Sequence, residues 1–328
     1  MTRIPIFTLS PTMLSRVAES IYWMSRQVER AENHARFLEV TLNLILDQPE
    51  DVVDPWEPLV QVTGDTAWFL EKYGPPNAQN VVKFLAFDLE YHSSMLTCLR
   101  AARENAKSVR ESLSSESYEQ LNEFYHFVQH ATSEQLTDPT AAFFDSVRRH
   151  ALMWSGTLDN TMAHNKAWHF ANVGRLLERA DKTSRILDVK YFNLLPRIED
   201  VGTAVDDLQW STLLLAISGF EAYRRDHHLV DLEKVVEFFL FHRTFPRSIL
   251  SCVAGADWSL YEISESSHET VPREARQKIA ALKHRLSRTN VKEVLAGGMH
   301  QFIDLLQGEL NEIGNLLNHD YFNQPSST

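Results

Sequence analysis

Two stretches of this 328-residue chain carry charged side chains at spacings that can do chemistry. The first holds Arg26, Glu29, Arg30, Glu32, Asn33 and Arg36; the second, 149 positions on, holds Arg175, Glu178, Arg179, Asp181 and Arg185. Laid over each other, residues 26–40 and 175–189 are identical at seven of fifteen positions, and five further pairs are conservative exchanges. An arginine fork grips carboxylate or phosphate, and a carboxylate withdrawn from water can take a proton from substrate. Three readings therefore stand side by side. The stripes are a buried salt-bridge network locking two related helices together, or an Arg-lined pocket for an anionic ligand or a partner's chain, or a catalytic site with Glu29 and Glu178 as general bases. Solvent-exposed pairs within one helix contribute only about a few tenths of a kcal/mol, too little to account for a repeated pattern.

Other chemistry is sparser. Glu-x-x-His steps occur at Glu123/His126 and Glu265/His268, and a ferritin-like di-metal bundle needs two of these plus two further glutamates. The second step reads as a polar helix end, so no metal site is expected. Cys98 and Cys252 are the only cysteines, with neither a CxxC nor a Cys/His zinc spacing. Cys98, set between Leu96 and Leu99, reads as core, as do Trp23, Trp168 and Trp210. His227-His228 reads as a surface turn. There is no Gly-rich phosphate loop, and no cofactor of the chain's own is expected.

The elements that must position these side chains are long helices. Leu14, Val17, Ile21, Met24, Val28, Ala31, Ala35, Leu38, Leu42 and Ile45 recur at steps of three and four until Asp47-Gln-Pro49, a heptad seam with small residues midway. A second seam runs Phe170, Val173, Leu177, Ala180, Ser184, Leu187, Tyr191, Leu194 to Pro196. The charged stripe lies opposite the first seam, fenced by Tyr22 and Trp23 before it and by Phe37 and Val40 after it, so it faces protein or a pocket. Between the signature helices the pattern predicts helices over about 59–73, 81–111, 118–130 and 140–161. Five more follow over 206–220, 229–241, 246–264, 272–288 and 291–317, with a disordered tail after Tyr321. The class is all-α, a bundle of about ten helices. It forms one domain over 1–328, divisible into pseudo-repeat lobes at about 12–162 and 163–320. The formal charge of −12, with no Lys/Arg-rich tract, argues against nucleic acid. Leu213–Phe220, the most apolar run, is too short to span a membrane, and no signal-peptide core is present, so the cytoplasm is expected.

At its signature residues the chain resembles a known family. Met13-Leu-Ser-Arg16-Val-Ala-Glu19-Ser-Ile-Tyr22-Trp23-Met-Ser-Arg26-Gln-Val-Glu29-Arg30-Ala-Glu32-Asn33 is similar to the opening signature of the bacterial Alpha-E family, an all-helical group. Arg103-Glu104-Asn105-Ala106, Arg110-Glu111-Ser-Leu-Ser-Ser-Glu116, Gly174-Arg175 with Glu178-Arg179-Ala180-Asp181, and Phe245-Pro246-Arg247-Ser248 resemble further blocks in the expected order. The resemblance implies a gene neighbourhood with a circularly permuted ATP-grasp ligase, to which some members are fused, and with transglutaminase-like and proteasome-like proteins. It thereby implies a part in ATP-dependent amide or peptide bond formation, with ATP and Mg supplied through the ligase. On that basis the chain is expected to be an accessory subunit holding an acidic substrate or intermediate. An enzyme of the same pathway and a purely structural homo-oligomer are the alternatives.

Overall fold

A computed structural model describes residues 13–47, 56–133, 140–193, 204–267 and 271–323. Among these residues there are fifteen α-helices and no strand. In chain order they are α1 (Ser15–Asp47), α2 (Glu57–Thr63), α3 (Thr66–Tyr73), α4 (Ala78–Val82), α5 (Met95–Ser108), α6 (Ser115–Ser133), α7 (Ala141–Thr161) and α8 (Lys166–Asn193). There follow α9 (Ala204–Ala216), α10 (Phe220–Asp226), α11 (Leu232–Phe241), α12 (Ile249–Ser266), α13 (Glu274–Arg288), α14 (Val291–Gly297) and α15 (Met299–Leu317).

Eight of these helices form two four-helix bundles. Helix α1 packs on α5 and α7, with α6 closing the ring; α8 packs on α12 and α15, with α13 in the corresponding place. The shorter helices α2–α4 and α9–α11 lie between the first and second members of each bundle in sequence, and α14 lies between α13 and α15. The bundles meet through α1 and α8, and one apolar cluster runs through both. The predicted seams explain this. Ile21, Met24, Val28, Ala31, Ala35 and Leu38 are buried on α1, as are Phe170, Val173, Leu177, Ala180, Ser184 and Leu187 on α8. The seam ends differ: Leu14 is 57 % exposed and Ile45 39 %. The Tyr191 side chain, Leu194 and Pro196 lie outside the described residues, as do Pro11, Thr12, Gln48, Pro49 and the tail from residue 324.

The helices α1 and α8 approach so closely because Gly174 faces Tyr22. A Cβ on Gly174 would come 2.3 Å from the Tyr22 carbonyl oxygen, inside any tolerable contact. The small residue that sets the crossing is therefore this glycine, next to Arg175 and one turn before Glu178, in addition to the alanines of the seam.

Several segments are shorter than their periodicity predicts. Gly64, at φ 82°, divides the 59–73 segment into α2 and α3. The 81–111 segment is broken by a π-helical turn over Lys83–Phe87 and an extended Asp88. Asp88 accepts hydrogen bonds from Lys72 Nζ (2.8 Å) and Tyr73 Oη (2.7 Å), and α5 restarts where Ser94 caps Thr97. Leu89, beside the break, is consequently exposed, while Phe84, Leu85, Leu96, Leu99 and Val109 are buried. Gly298, at φ 97°, likewise separates α14 from α15, and Ser218-Gly219 separates α9 from α10. These breaks account for fifteen helices where about ten are expected. No helix among the described residues is long and apolar enough to cross a membrane.

Candidate functional site

The two charged stripes face each other across the α1–α8 contact, and their pairing is reciprocal. Arg30 of α1 donates from Nε (2.6 Å) and Nη2 (3.0 Å) to the Glu178 carboxylate of α8. Arg179 of α8 donates from Nε (2.8 Å) and Nη2 (2.7 Å) to the Glu29 carboxylate of α1. These are fork-on-carboxylate contacts, the geometry that suits a guanidinium best. Glu29-Arg30 and Glu178-Arg179 are the only two Glu-Arg dipeptides in the sequence, and each dipeptide clasps the other. Both carboxylates are buried, Glu178 completely. The site residues read from sequence are thus brought together, by ion pairs between helices more than within them.

Around the clasp the symmetry breaks. Arg26 Nε donates to Glu178 (2.7 Å), whereas its counterpart Arg175 turns away to Asn172 Oδ1 (2.7 Å). The vacant place beside Glu29 is taken by Arg247, from the segment leading into α12. Its Nη1 donates to Glu29 (3.2 Å) and to Asn33 Oδ1 (3.1 Å), and its Nη2 to Glu32. Arg36 also donates to Glu32, and Arg185 to Asp181 (3.0 Å), each within its own helix. Lys182 Nζ stands 3.4 Å from Asp181 and 3.8 Å from Glu178.

Four carboxylates (Glu29, Glu32, Glu178, Asp181) therefore meet seven cations (Arg26, Arg30, Arg36, Arg179, Lys182, Arg185, Arg247) among the described residues. Burial alone would raise the carboxyl pKa values, but Arg30 and Arg26 hold Glu178 well below the usual range, and Arg247 and Arg36 do the same for Glu32. Such carboxylates stay ionised and occupied. His34, buried beside Lys182 and Arg30, is pushed down to about 3 and stays neutral.

Arg247 was legible in sequence only as part of the Phe245-Pro246-Arg247-Ser248 block. The structure shows a second repeat that locates it. At a shift of 154, Tyr91-His-Ser93-Ser94-Met-Leu-Thr-Cys98 lies on Phe245-Pro-Arg247-Ser248-Ile-Leu-Ser-Cys252. Ser94 and Ser248 each cap the following helix, and each cysteine thiol points back to a carbonyl at 3.4 Å, Ser93 for Cys98 and Pro246 for Cys252. Ser93, the counterpart of Arg247, accepts from Arg30 Nη1 at 3.2 Å. The cysteines are buried, and desolvation pushes their thiols up, to about 12 for Cys98 and about 11 for Cys252, which disfavours the thiolate.

Two cavities open beside the stripe. One, of about 420 Å³, is walled by Arg36, Glu39, Arg148, Ser218 and Glu221. Arg36 is only 3 % exposed; its Nη1 donates to Ser218 Oγ and its Nε is buried without a partner. Ser218 is the one non-glycine residue at positive φ (52°) among those described, a conformation that costs energy and collects at functional sites. Arg148 Nε is 2.9 Å from Glu39, whose pKa burial raises despite that partner. The other cavity, of about 390 Å³, lies at Arg26 between α1 and α15.

Of the remaining candidates, Trp168 and Trp210 are buried and Trp23 is half-buried, while His227 and His228 sit at a surface turn. Glu123 is exposed, His126 bonds Gln129, and neither belongs to a cluster of three ligands among the described residues; His268 lies outside them. A three-ligand cluster does form elsewhere, from Asp188, His300 and Asp304, with ligand atoms within 4.8 Å of one another. His300 Nδ1 lies 2.8 Å from Asp188, which raises its pKa.

A sequence model of the Alpha-E family, described as a predicted alpha-helical domain with a conserved ER motif, matches residues 13–322. Uncharacterised proteins of Mycobacterium bovis and Mycobacterium tuberculosis are 24 % identical to the chain over 325 residues. The match covers 92 % of this chain but 36 % of theirs, so the chain spans about a third of the length of these relatives. No solved structure matches it.

Proposed function

The chain belongs to the Alpha-E family, and from that premise we propose that it is a binding module holding an acidic, amine-bearing substrate for an ATP-grasp carboxylate-amine ligase in the cytoplasm. The observation that carries the binding role is the cleft at Arg36. A buried guanidinium with an unpartnered Nε, a hydroxyl fixed by a left-handed residue, and carboxylates at Glu39 and Glu221 face one cavity of about 420 Å³. Cations and carboxylates on one wall suit a ligand with both signs of charge, an amino acid or a peptide terminus. The volume fits a molecule of that size. Activation by ATP falls to the partner and its Mg, since this chain has no Gly-rich phosphate loop. The length of the mycobacterial relatives, about three times the matched part, supports a domain that works beside others. Transglutaminase-like and proteasome-like proteins of the same neighbourhood would act on the product.

The reading in which Glu29 and Glu178 act as general bases finds less support, because each carboxylate is already gripped by an arginine fork of the opposite helix. Calorimetric titration with glutamate and short glutamyl peptides tests the cleft directly. Binding weakened by Glu221→Gln, an exposed position, is the expected result. Amide formation by the ligase with and without this chain tests the partnership; equal product in both would refute it while leaving the cleft's binding to stand or fall alone.

A further inference from the structure

The cavity at Arg26 has a different chemistry from the cleft at Arg36. Its walls are Tyr22, Trp23 and Arg26 of α1 and, from α15 and the turn after it, Asn311, Gly314, Asn315, Asn318 and Phe322. Among the described residues no carboxylate lines it. Behind Arg26 stands Glu178, but that one carboxylate also faces Arg30 and Lys182, so positive charge is in excess. The Arg26 guanidinium lies 5.3 Å from the Trp23 ring centroid and 5.7 Å from that of Tyr22, with Nε bound to Glu178 and Nη1 donating to Tyr22 Oη. Among the described residues its Nη2 makes no hydrogen bond.

The three asparagines are exposed, and among the described residues none of their side-chain amides has a hydrogen-bond partner. They sit at steps of four and three on one face of a helix, which spaces them by about 6 Å and about 4.5 Å along the axis. An extended peptide repeats every two residues in about 6.6 Å. An asparagine amide offers one donor edge and one acceptor edge, the complement of a peptide group. A column of such amides therefore reads backbone, whatever the side chains.

The repeat supplies an internal control. At the shift of 149, Tyr22, Trp23 and Arg26 correspond to Ala171, Asn172 and Arg175. There Arg175 is tied to Asn172 and Trp154 and Trp168 fill the space, leaving about 10 Å³. One half of the molecule has closed this position with two tryptophans, and the other holds it open. Gly314 sits on the open side, where an added Cβ would lie 3.7 Å from Arg26 Nη1, an ordinary contact. The glycine keeps the floor low without strain.

We propose that this groove binds an extended peptide segment, its backbone paired with Asn311, Asn315 and Asn318 and a carboxylate of the peptide held by Arg26 beside the Trp23 face. This site is independent of the cleft at Arg36. The carboxylate comes either from the peptide's C-terminus or from an acidic side chain, and the test separates the two.

The full chain is labelled with 5-fluorotryptophan, and among its seven tryptophans the Trp23 resonance is assigned with Trp23→Phe. Three probes are titrated: N-acetyl-tetra-alanine with a free C-terminus, the same peptide amidated, and an amidated version with one internal glutamate. A saturable shift of the Trp23 resonance is expected with the first or third probe, at least about 10-fold tighter than with the neutral amide. Whichever acid binds names the source of the carboxylate. Asn311→Ala with Asn315→Ala should weaken binding about 10-fold and leave the preference for acid intact. Gly314→Leu should abolish it by filling the groove. Equal binding of the neutral amide, no shift with any probe up to about 10 mM (a dissociation free energy under about 3 kcal/mol), or unchanged binding by the asparagine double variant would overturn the proposal.

Discussion

At the scale of single residues, the crossed Glu-Arg clasp is a liability if one partner is lost. Glu178→Gln would leave Arg26, Arg30 and Lys182 facing one another in a buried space, and breaking a buried pair this way typically costs about 3–5 kcal/mol. Urea unfolding should therefore show a drop of that order for Glu178→Gln. A loss below about 1 kcal/mol would place the clasp in the weak class of exposed pairs. His34 gives a second residue-scale expectation. Its folded pKa, near 3, lies below the ordinary value, so under about pH 6.5 the unfolded chain binds a proton that the folded chain refuses. The stability it contributes is complete above that pH and falls as pH drops, by about 1.4 kcal/mol per unit. His150 and His169 are depressed in the same sense, so the contribution of His34 is read as the difference in slope between the wild type and His34→Gln over pH 5–6.5.

At the scale of helices, the crossing of α1 and α8 depends on the absence of one side chain. Gly174→Ala puts a methyl against the Tyr22 carbonyl, which must move with its helix, and overpacking of this kind costs about 1–3 kcal/mol. Since the clasp lies one turn away, thermal melting of Gly174→Ala should show a lower midpoint, and a double variant with Glu178→Gln should lose less than the sum of the two. How much of this was legible in the sequence follows from what periodicity can record. The seams of α1 and α8, the repeat and the buried position of the stripe show as spacing, since a charged face bounded by Tyr22, Trp23, Phe37 and Val40 has no reason to face water. The partners across the contact do not show, because spacing along one helix says nothing of which carboxylate an arginine meets on another. Glu29 was within reach of Arg26 in sequence, yet it binds Arg179 and Arg247. The breaks at Gly64, Asp88 and Gly298 were missed for a related reason. Apolar residues continue through them, and what stops the helix is a left-handed glycine or a side-chain bond to a distant element.

At the scale of the molecule, the two bundles share their most polar contact, so neither half should be stable alone. Residues 1–163 expressed without the rest would expose Glu29, Glu32, Arg30 and the apolar face of α1 together. Such a fragment should be insoluble or molten, and co-expression with 164–328 should restore a folded complex that co-purifies; independent folding of either piece would contradict the shared core. The reciprocity of the clasp also has a meaning in descent. When residue i meets j and j meets i, the contact has the form of a two-fold interface between identical copies. A chain that paired with itself in this manner would have to change both sides of its interface with every mutation. Once the two copies are joined in one polypeptide, each side drifts by itself. One copy has a serine where the other has Arg247, and one has an open mouth where the other has two tryptophans. Duplication here separates the duty of holding the halves together, which needs both copies, from the duty of receiving a ligand, which needs only one.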